Sequence, residues 1–323
     1  MNNLQQDVER LIAEQTTSWE TARRNYAALR RIRSKTLSFD AFSVGVQFNP
    51  ERVRSTTARV EAPEERPCFL CPENRPAEQR AVRWEGYELL VNPYPIFARH
   101  LTLPAREHTP QRLTGRVHDM VQLAGELPGF VLTFNGARSG ASAPDHFHFQ
   151  AVGRGVLPAE AELPAWPETT EIFRDEHVSV CGIDHYLRPA IRIWGSEGQA
   201  VARAGEEVLV CLKQATSCKS KETDDDEAQV NALCWKEAQE YILVLFPRTA
   251  HRPAEYYATG TEQFLLSPGA IDMAGVLITV RPEDYERANE ETITALLGQV
   301  VPDAAQWETM KEFLKRCLTE NLK

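Results

Sequence analysis

The apolar positions of the chain recur with two periods, and the change from one to the other outlines the fold. Val8, Leu11, Ile12, Trp19, Ala22, Tyr26 and Leu29 return about every 3.6 residues, which predicts one amphipathic helix over residues 5–33. Phe42, Val44, Val46 and Phe48 then alternate and stop at Asn49-Pro50, the mark of a strand with a turn behind it. Short strands are expected at 87–91, ahead of the Asn92-Pro93 turn, and at His100–Pro104. Pro110 suits the first turn of a helix that carries Leu113, Val117, Met120, Val121 and Ala124 on one face. The strand FVLTFNG, the polar loop ARSGASAPD and the strand HFHFQAV follow. Strands, turns and helices in this order, with antiparallel-looking returns, predict an α+β fold and not a regular βαβ winding.

Residues 157–169 hold three prolines and read as a linker. The second half has expected strands near 177–182, 190–194, 207–212 and 241–247, and a charged run at 218–229 that reads as a solvated loop. Two helices close the chain, and the last has an apolar stripe of Trp307, Met310, Phe313, Leu314, Cys317 and Leu318, which places Cys317 in the core. No strong internal sequence repeat is present, although both halves put a strand before a Pro/Arg/His cluster, FARHLTLP and LFPRTAHRP.

Composition narrows the function classes. The chain has 323 residues, 36 Lys+Arg against 46 Asp+Glu, and a formal charge of −10. That length accommodates two core-forming units of roughly 100–200 residues each. The acidic balance argues against nucleic acid as a partner, but a local cluster of donors can still hold a small anion. No run of 18 apolar residues occurs, so no transmembrane helix is expected. The polar start MNNLQQDVERLIAEQ and the odd count of seven cysteines predict a cytoplasmic protein with reduced thiols. Cys181, Cys211 and Cys234 are expected to be packed, and Cys68 and Cys71 form a C-x2-C pair suited to two thiolate ligands on one zinc ion.

The most informative stretch is Asn135 to Val152. On a strand, His146, His148 and Gln150 project from one face and Phe147, Phe149 and Ala151 from the other. Three polar side chains in register are costly to bury without partners. The preceding loop offers Gly136 and Gly140 for close backbone approach, and Asn135, Ser139 and Ser142 as small donors and acceptors. Such a loop can cradle phosphate oxygens.

The run Gly140 to Gln150, G-x-S-x-P-D-H-x-H-x-Q, resembles the active-site signature of the histidine-triad superfamily. It is most similar to the branch of galactose-1-phosphate uridylyltransferases and dinucleotide-polyphosphate phosphorylases, where Gln replaces the third His of the hydrolases. CFLCPEN resembles the zinc-binding opening of the uridylyltransferases, and NPYPIFARHLTLPAREHTPQ the strand-loop-strand of the phosphorylases. HFHFQA and SPGAIDMAGVLITVRPEDYE bring the GDP-hexose phosphorylases closest. Asp145, between Pro144 and the first His, is a departure from the uridylyltransferases.

The resemblance implies two histidine-triad-like halves with an antiparallel sheet and flanking helices: an extension at 1–60, a catalytic half at 61–165 and a degenerate half at 166–323. It implies that His148 is the nucleophile, attacking an α-phosphorus to give a nucleotidyl-histidine. Gln150 and Ser142 would hold non-bridging oxygens, with Asn135 nearby, and Gln in the third position matches transfer to phosphate or a sugar phosphate over hydrolysis. It picks His108 and His146 to complete a structural zinc site with Cys68 and Cys71, His100 being the substitute for His108. Arg99, Arg106, Arg138, Arg154, Arg248, His251 and Arg252 are candidates for phosphate charge, with Arg248 and His251 placed at the nucleotide. The expected reaction is GDP-hexose with inorganic phosphate giving GDP and hexose 1-phosphate. A dinucleotide phosphorylase, a hexose-1-phosphate uridylyltransferase and a zinc-stabilised nucleotide-binding protein are the alternatives, and a homodimer is a possible assembly.

Overall fold

The computed structural model describes residues 3–52, 67–217 and 227–322. Its centre is a ten-stranded antiparallel sheet in the order β3-β4-β5-β7-β6-β11-β12-β10-β9-β8. The small sheet β1-β2-β13 contains β1 (Arg33–Ser38), β2 (Ser43–Phe48) and β13 (Val276–Thr279), with β13 parallel to β2. In the large sheet the first half supplies β3 (Ala81–Trp84), β4 (Tyr87–Val91), β5 (His100–Pro104), β6 (Phe130–Asn135) and β7 (His148–Gly153). The second half supplies β8 (Thr169–Arg174), β9 (Ser179–Ile183), β10 (Ala190–Gly195), β11 (Val230–Glu237) and β12 (Glu240–Pro247). Each half therefore runs three strands, a helix and two strands, with the fifth strand inserted between the third and fourth. The halves meet where β6 pairs with β11, Asn135 opposite Asn231. The expected α+β architecture of two like halves is present in the topology, and the second half has the apolar run YILVLFP on β12 where the first has HFQAVG on β7.

Both faces of the sheet are covered. Phe147, Phe149 and Ala151 point into a core with Tyr87, Phe134 and the helices Leu4–Ser18, Val117–Glu126, Gly198–Ser217 and Ala304–Asn321. Val131, Val152, Leu233, Val244 and Phe246 point the other way, against the small sheet and the segment around Ala270–Met273. The Phe147 and Phe149 rings meet edge to face at 4.8 Å. A slip of β7 by one residue would drive His148 and Gln150 into this aromatic cluster, so the packing sets the face they occupy.

Several expectations are revised. The stretch 5–33 is two helices, Leu4–Ser18 and Glu20–Ala28, broken where buried Trp19 is extended (φ −94°, ψ 111°), and β1 follows. The helix after Pro110 begins only at Val117, where the Glu206 carboxylate accepts from Gly115 N (2.9 Å) and Val117 N (3.0 Å). A carboxylate from the other half thus satisfies helix-start donors that Pro110 was expected to sit beside. Residues 157–169 are not an extended linker: Pro158–Glu162 is a short helix, and Leu157, Ala159, Leu163 and Trp166 are buried. Residues 207–212 lie inside the helix Gly198–Ser217, because Val201, Ala204, Val208, Cys211 and Leu212 form one buried helical stripe.

Cys211 and Cys317 are joined in a disulfide between the helices Gly198–Ser217 and Ala304–Asn321, contrary to the all-thiol expectation. Cys181 and Cys234 are free and buried, as expected. The charged run falls outside the described residues over 218–226, and so does the boundary near residue 60. Among the described residues no helix is long and apolar enough to cross a membrane.

Candidate active site and metal cluster

His146, His148 and Gln150 enter the site from the start of β7, where β6 and β7 separate and Gln111 fills the gap. The Gln111 side chain accepts from His148 N (2.7 Å) and donates to His148 O and Asn135 O (2.9 Å each), while Gln111 N donates to Pro144 O. A buried carboxamide thus satisfies three backbone groups that the opened ladder leaves unpaired, and fixes the nucleophile candidate from behind. Nothing in the sequence distinguished Gln111 from an ordinary loop residue.

The His148 ring is buried, and its Nδ1–H donates to His146 O at 2.9 Å. That bond leaves Nε2 with its lone pair, and Nε2 has no partner among the described residues. Burial pushes the His148 pKa down to about 4, outweighing the His146 carbonyl bond that favours the cation. The imidazole is therefore neutral and nucleophilic near pH 7. Gln150 is half-buried, and its Oε1 accepts from His100 Nε2 at 2.8 Å.

The loop ahead of β7 is built by the second half as much as by its own residues. Asn135 Oδ1 accepts from Asn231 Nδ2 (2.9 Å) and Ala270 N (2.6 Å), and Asn231 Nδ2 also donates to Ser139 O (2.6 Å). Gly140 has φ +94°, and a Cβ there would lie 2.7 Å from Pro268 O, so only glycine fits this crossing. A Cβ at Gly136 would meet Val230 O at 2.9 Å. Ser139 is fully buried, whereas Ser142 is half-buried on the same loop.

Arg248 stands one step behind this loop. Its five N–H groups donate to Val300 O, Asn231 Oδ1, Pro268 O, Ala250 O and His251 O at 2.6–3.1 Å. The expectation that Arg248 holds phosphate is revised, because no donor remains; it orients Asn231, and Asn231 orients Asn135 and Ser139. Burial, with Arg252 and Arg248 nearby, lowers the His251 pKa to about 4, so His251 supplies no positive charge near neutral pH.

Cys68, Cys71, His108 and His146 converge with ligand atoms within 4.8 Å of one another and can hold a metal ion. His146 Nδ1 lies 3.2 Å from Cys68 Sγ and 3.5 Å from Cys71 Sγ, and His108 Nδ1 lies 3.2 Å from Cys71 Sγ. Zinc bonds of about 2.3 Å to sulfur and about 2.0 Å to nitrogen give tetrahedral edges of roughly 3.3–3.8 Å, close to these separations. His146 Nε2 donates to Ala105 O at 2.8 Å, which leaves the Nδ1 lone pair facing the thiols, as a ligand requires. Burial and the neighbouring Cys68 push the Cys71 thiol up to about 11, so a cation is what would bring it to thiolate at neutral pH. The resemblance-based choice of His108 over His100 agrees with this grouping, since His100 is committed to Gln150.

The fold is similar to that of the yeast Ap4A phosphorylase Apa2. The two superpose with a TM-score of 0.61 at 16% identity, over 93% of this chain and 95% of that one. The same yeast enzyme in complex with Ap4A gives a TM-score of 0.54 at 15% identity, over 93% of this chain and 98% of that one. A uridylyltransferase mutant gives 0.45 at 14% identity, covering 82% of this chain and 96% of that one. Residues 11–153 match a family described as a domain of unknown function, DUF4922. No curated protein matches the chain.

Proposed function

We propose that the chain is a nucleotidyltransferase of the phosphorylase type that works through a covalent nucleotidyl-histidine at His148. The observation that carries this reading is the His148 ring itself, neutral, buried, and fixed by the His146 carbonyl with Nε2 free. In the first step Nε2 attacks the α-phosphorus, the N–P bond forms, and the bond to the leaving phosphate oxygen breaks. The modified ring is cationic, and its Nδ1–H, already bonded to His146 O, shares that charge with the carbonyl dipole. In the second step an oxygen of inorganic phosphate attacks the same phosphorus and the N–P bond breaks, restoring the neutral ring and releasing a nucleoside diphosphate. Gln150, Ser142 and the turn at Gly136–Gly140 are assigned to the non-bridging oxygens, where positioned donors lower the barrier. Asn135 and Ser139 support this loop from the interior.

Zinc is assigned to Cys68, Cys71, His108 and His146, a closed donor set whose role is structural. It would tie the loop around residue 70 to β7, and no chemical step passes through it. The catalytic half is placed at 61–165 and its degenerate counterpart at 166–323.

Two donors fit this chemistry. GDP-hexose is favoured by the resemblance of HFHFQA and the segment SPGAIDMAGVLITVRPEDYE to GDP-hexose phosphorylases. A dinucleoside polyphosphate is favoured by the fold shared with yeast Ap4A phosphorylase. Incubation of each with radiolabelled inorganic phosphate separates them. The label is expected in the β-phosphate of GDP with GDP-hexose, or of ADP with Ap4A, and in neither product for a protein that only binds nucleotides.

A further inference from the structure

We infer that His100 is a positioning residue that holds the Gln150 carboxamide in one orientation, leaving its NH2 group as the available end on the strand face that also carries His148. The identity of the group this NH2 holds rests on the nucleotidyl-transfer reading; the orientation rests on the geometry alone. Ile96 N donates to His100 Nδ1 at 3.1 Å. A backbone N–H can only donate, so Nδ1 carries the lone pair and the ring proton sits on Nε2. Nε2 lies 2.8 Å from Gln150 Oε1. Were the amide turned over, an N–H would face an NH2 group at a fully buried ring, and neither donor would be satisfied.

Asn92 is the other polar side chain at Nε2, at 3.5 Å, and it cannot compete as an acceptor. Its Oδ1 accepts from Tyr94 N at 2.9 Å and its Nδ2 donates to Thr102 Oγ1 at 3.1 Å. The turn that presents Ile96 N–H is held by the N-terminal extension. Asn25 Nδ2 donates to Pro93 O (2.7 Å), Arg52 Nη1 to Tyr94 O (2.7 Å) and Asn49 Nδ2 to Pro95 O (3.3 Å). Three side chains from residues 25–52 thus fix a turn, the turn fixes a tautomer, and the tautomer fixes an amide.

The arrangement matters because the terminal torsion of glutamine is soft and roughly two-fold. An unheld Gln150 would present its oxygen lone pairs to an anionic group as readily as its donors. His100 lies diagonally from Gln150 on the neighbouring strand, since β5 pairs with β7 so that Thr102 faces Gln150 and His100 faces Val152.

Nitrogen-15 NMR of the full-length protein labelled at histidine tests the geometry without any substrate. An Nε2–H tautomer at His100, with an Nε2 signal that shifts in Gln150→Ala, is expected; an Nδ1–H tautomer, or an Nε2 signal indifferent to Gln150→Ala, overturns the inference. Kinetics test the consequence, with Ap4A and GDP-glucose as probes and intact mass as the readout of His148 modification. His100→Phe keeps an aromatic ring and removes the donor, so it and Gln150→Ala should each slow modification about 10²-fold with little change in KM. The double variant should be no slower than Gln150→Ala alone. A wild-type rate in His100→Phe, or losses that multiply in the double variant, also overturns the inference. Absence of modification in the wild type with both probes counts against the nucleotidyl-transfer reading, and the tautomer then decides the His100–Gln150 pair by itself.

Discussion

Replacing Gln111 by Met keeps a side chain of similar length and removes only its polar end, which isolates what the carboxamide contributes. Gln111 is 1% exposed, and its end group makes hydrogen bonds of 2.7, 2.9 and 2.9 Å to His148 N, His148 O and Asn135 O. At about 1 kcal/mol net for each bond, the loss is about 3 kcal/mol, and more if the buried backbone groups find no water. For a protein of this size that corresponds to a fall in Tm of a few degrees. The same change frees the backbone that carries the proposed nucleophile. A displacement of about 1 Å at reacting atoms costs about 10²-fold in rate, so His148 modification should slow by about 10–10²-fold while substrate affinity changes little. Paired thermal melts and modification rates of the wild type and Gln111→Met provide the check. A variant within about 0.5 kcal/mol of the wild type, the ordinary range for surface changes, and with an unaltered rate would refute the idea that Gln111 holds the end of β7.

Other consequences follow from the same geometry. Gly140→Ala places a Cβ 2.7 Å from Pro268 O at φ +94°, whereas Gly155→Ala shares the positive φ (+81°) but meets open space. Melts should show a loss of about 1–2 kcal/mol from backbone strain in Gly155→Ala and a clearly larger one in Gly140→Ala; equal losses would mean that the loop does not cross Pro268 closely. Purified protein should hold one zinc, and Cys71→Ser should lose it together with thermal stability; metal-free protein of unchanged stability would count against the cluster. Burial, aided by the Arg52 charge, lowers the His100 pKa from 6.5 to about 3. The unfolded chain then takes up a proton near pH 6.5 that the native ring refuses, so this contribution is complete above that pH and declines as pH falls toward 3. Between pH 7.5 and 5 the wild type should lose about 2 kcal/mol more than His100→Phe in urea titrations, and parallel losses would contradict a neutral buried ring.

The chemistry of the site was legible where it is local. The alternation HFHFQAV put His148 and Gln150 on one face and Phe147 and Phe149 on the other, which is the arrangement β7 adopts. The four ligand candidates could be named because C-x2-C spacing and the resemblance are sequence properties. What escaped depends on long-range partners. Gln111, Asn231 and Arg248 look like any polar residues until β6, β7 and β11 are assembled. Arg248 in particular looks like a free cation in the sequence because its five acceptors are mostly backbone carbonyls, which no side-chain pattern announces. The run Val208–Leu212 looks like a strand in a short window and resolves as helix only when Val201 and Ala204 extend the period. Cys211 and Cys317 are 106 residues apart, and pairing at that distance is not encoded in spacing. The duplication is visible in strand order alone, since each half needs only the same pattern of burial, not the same residues.

Covalent nucleotidyl transfer at His148 is tested most directly by the intact mass of the protein after brief exposure to Ap4A or a GDP-hexose without phosphate. A gain of one nucleoside monophosphate is expected that maps to His148, disappears when inorganic phosphate is added, and is absent in His148→Asn. No adduct from either donor, or an adduct that persists in His148→Asn, would contradict it.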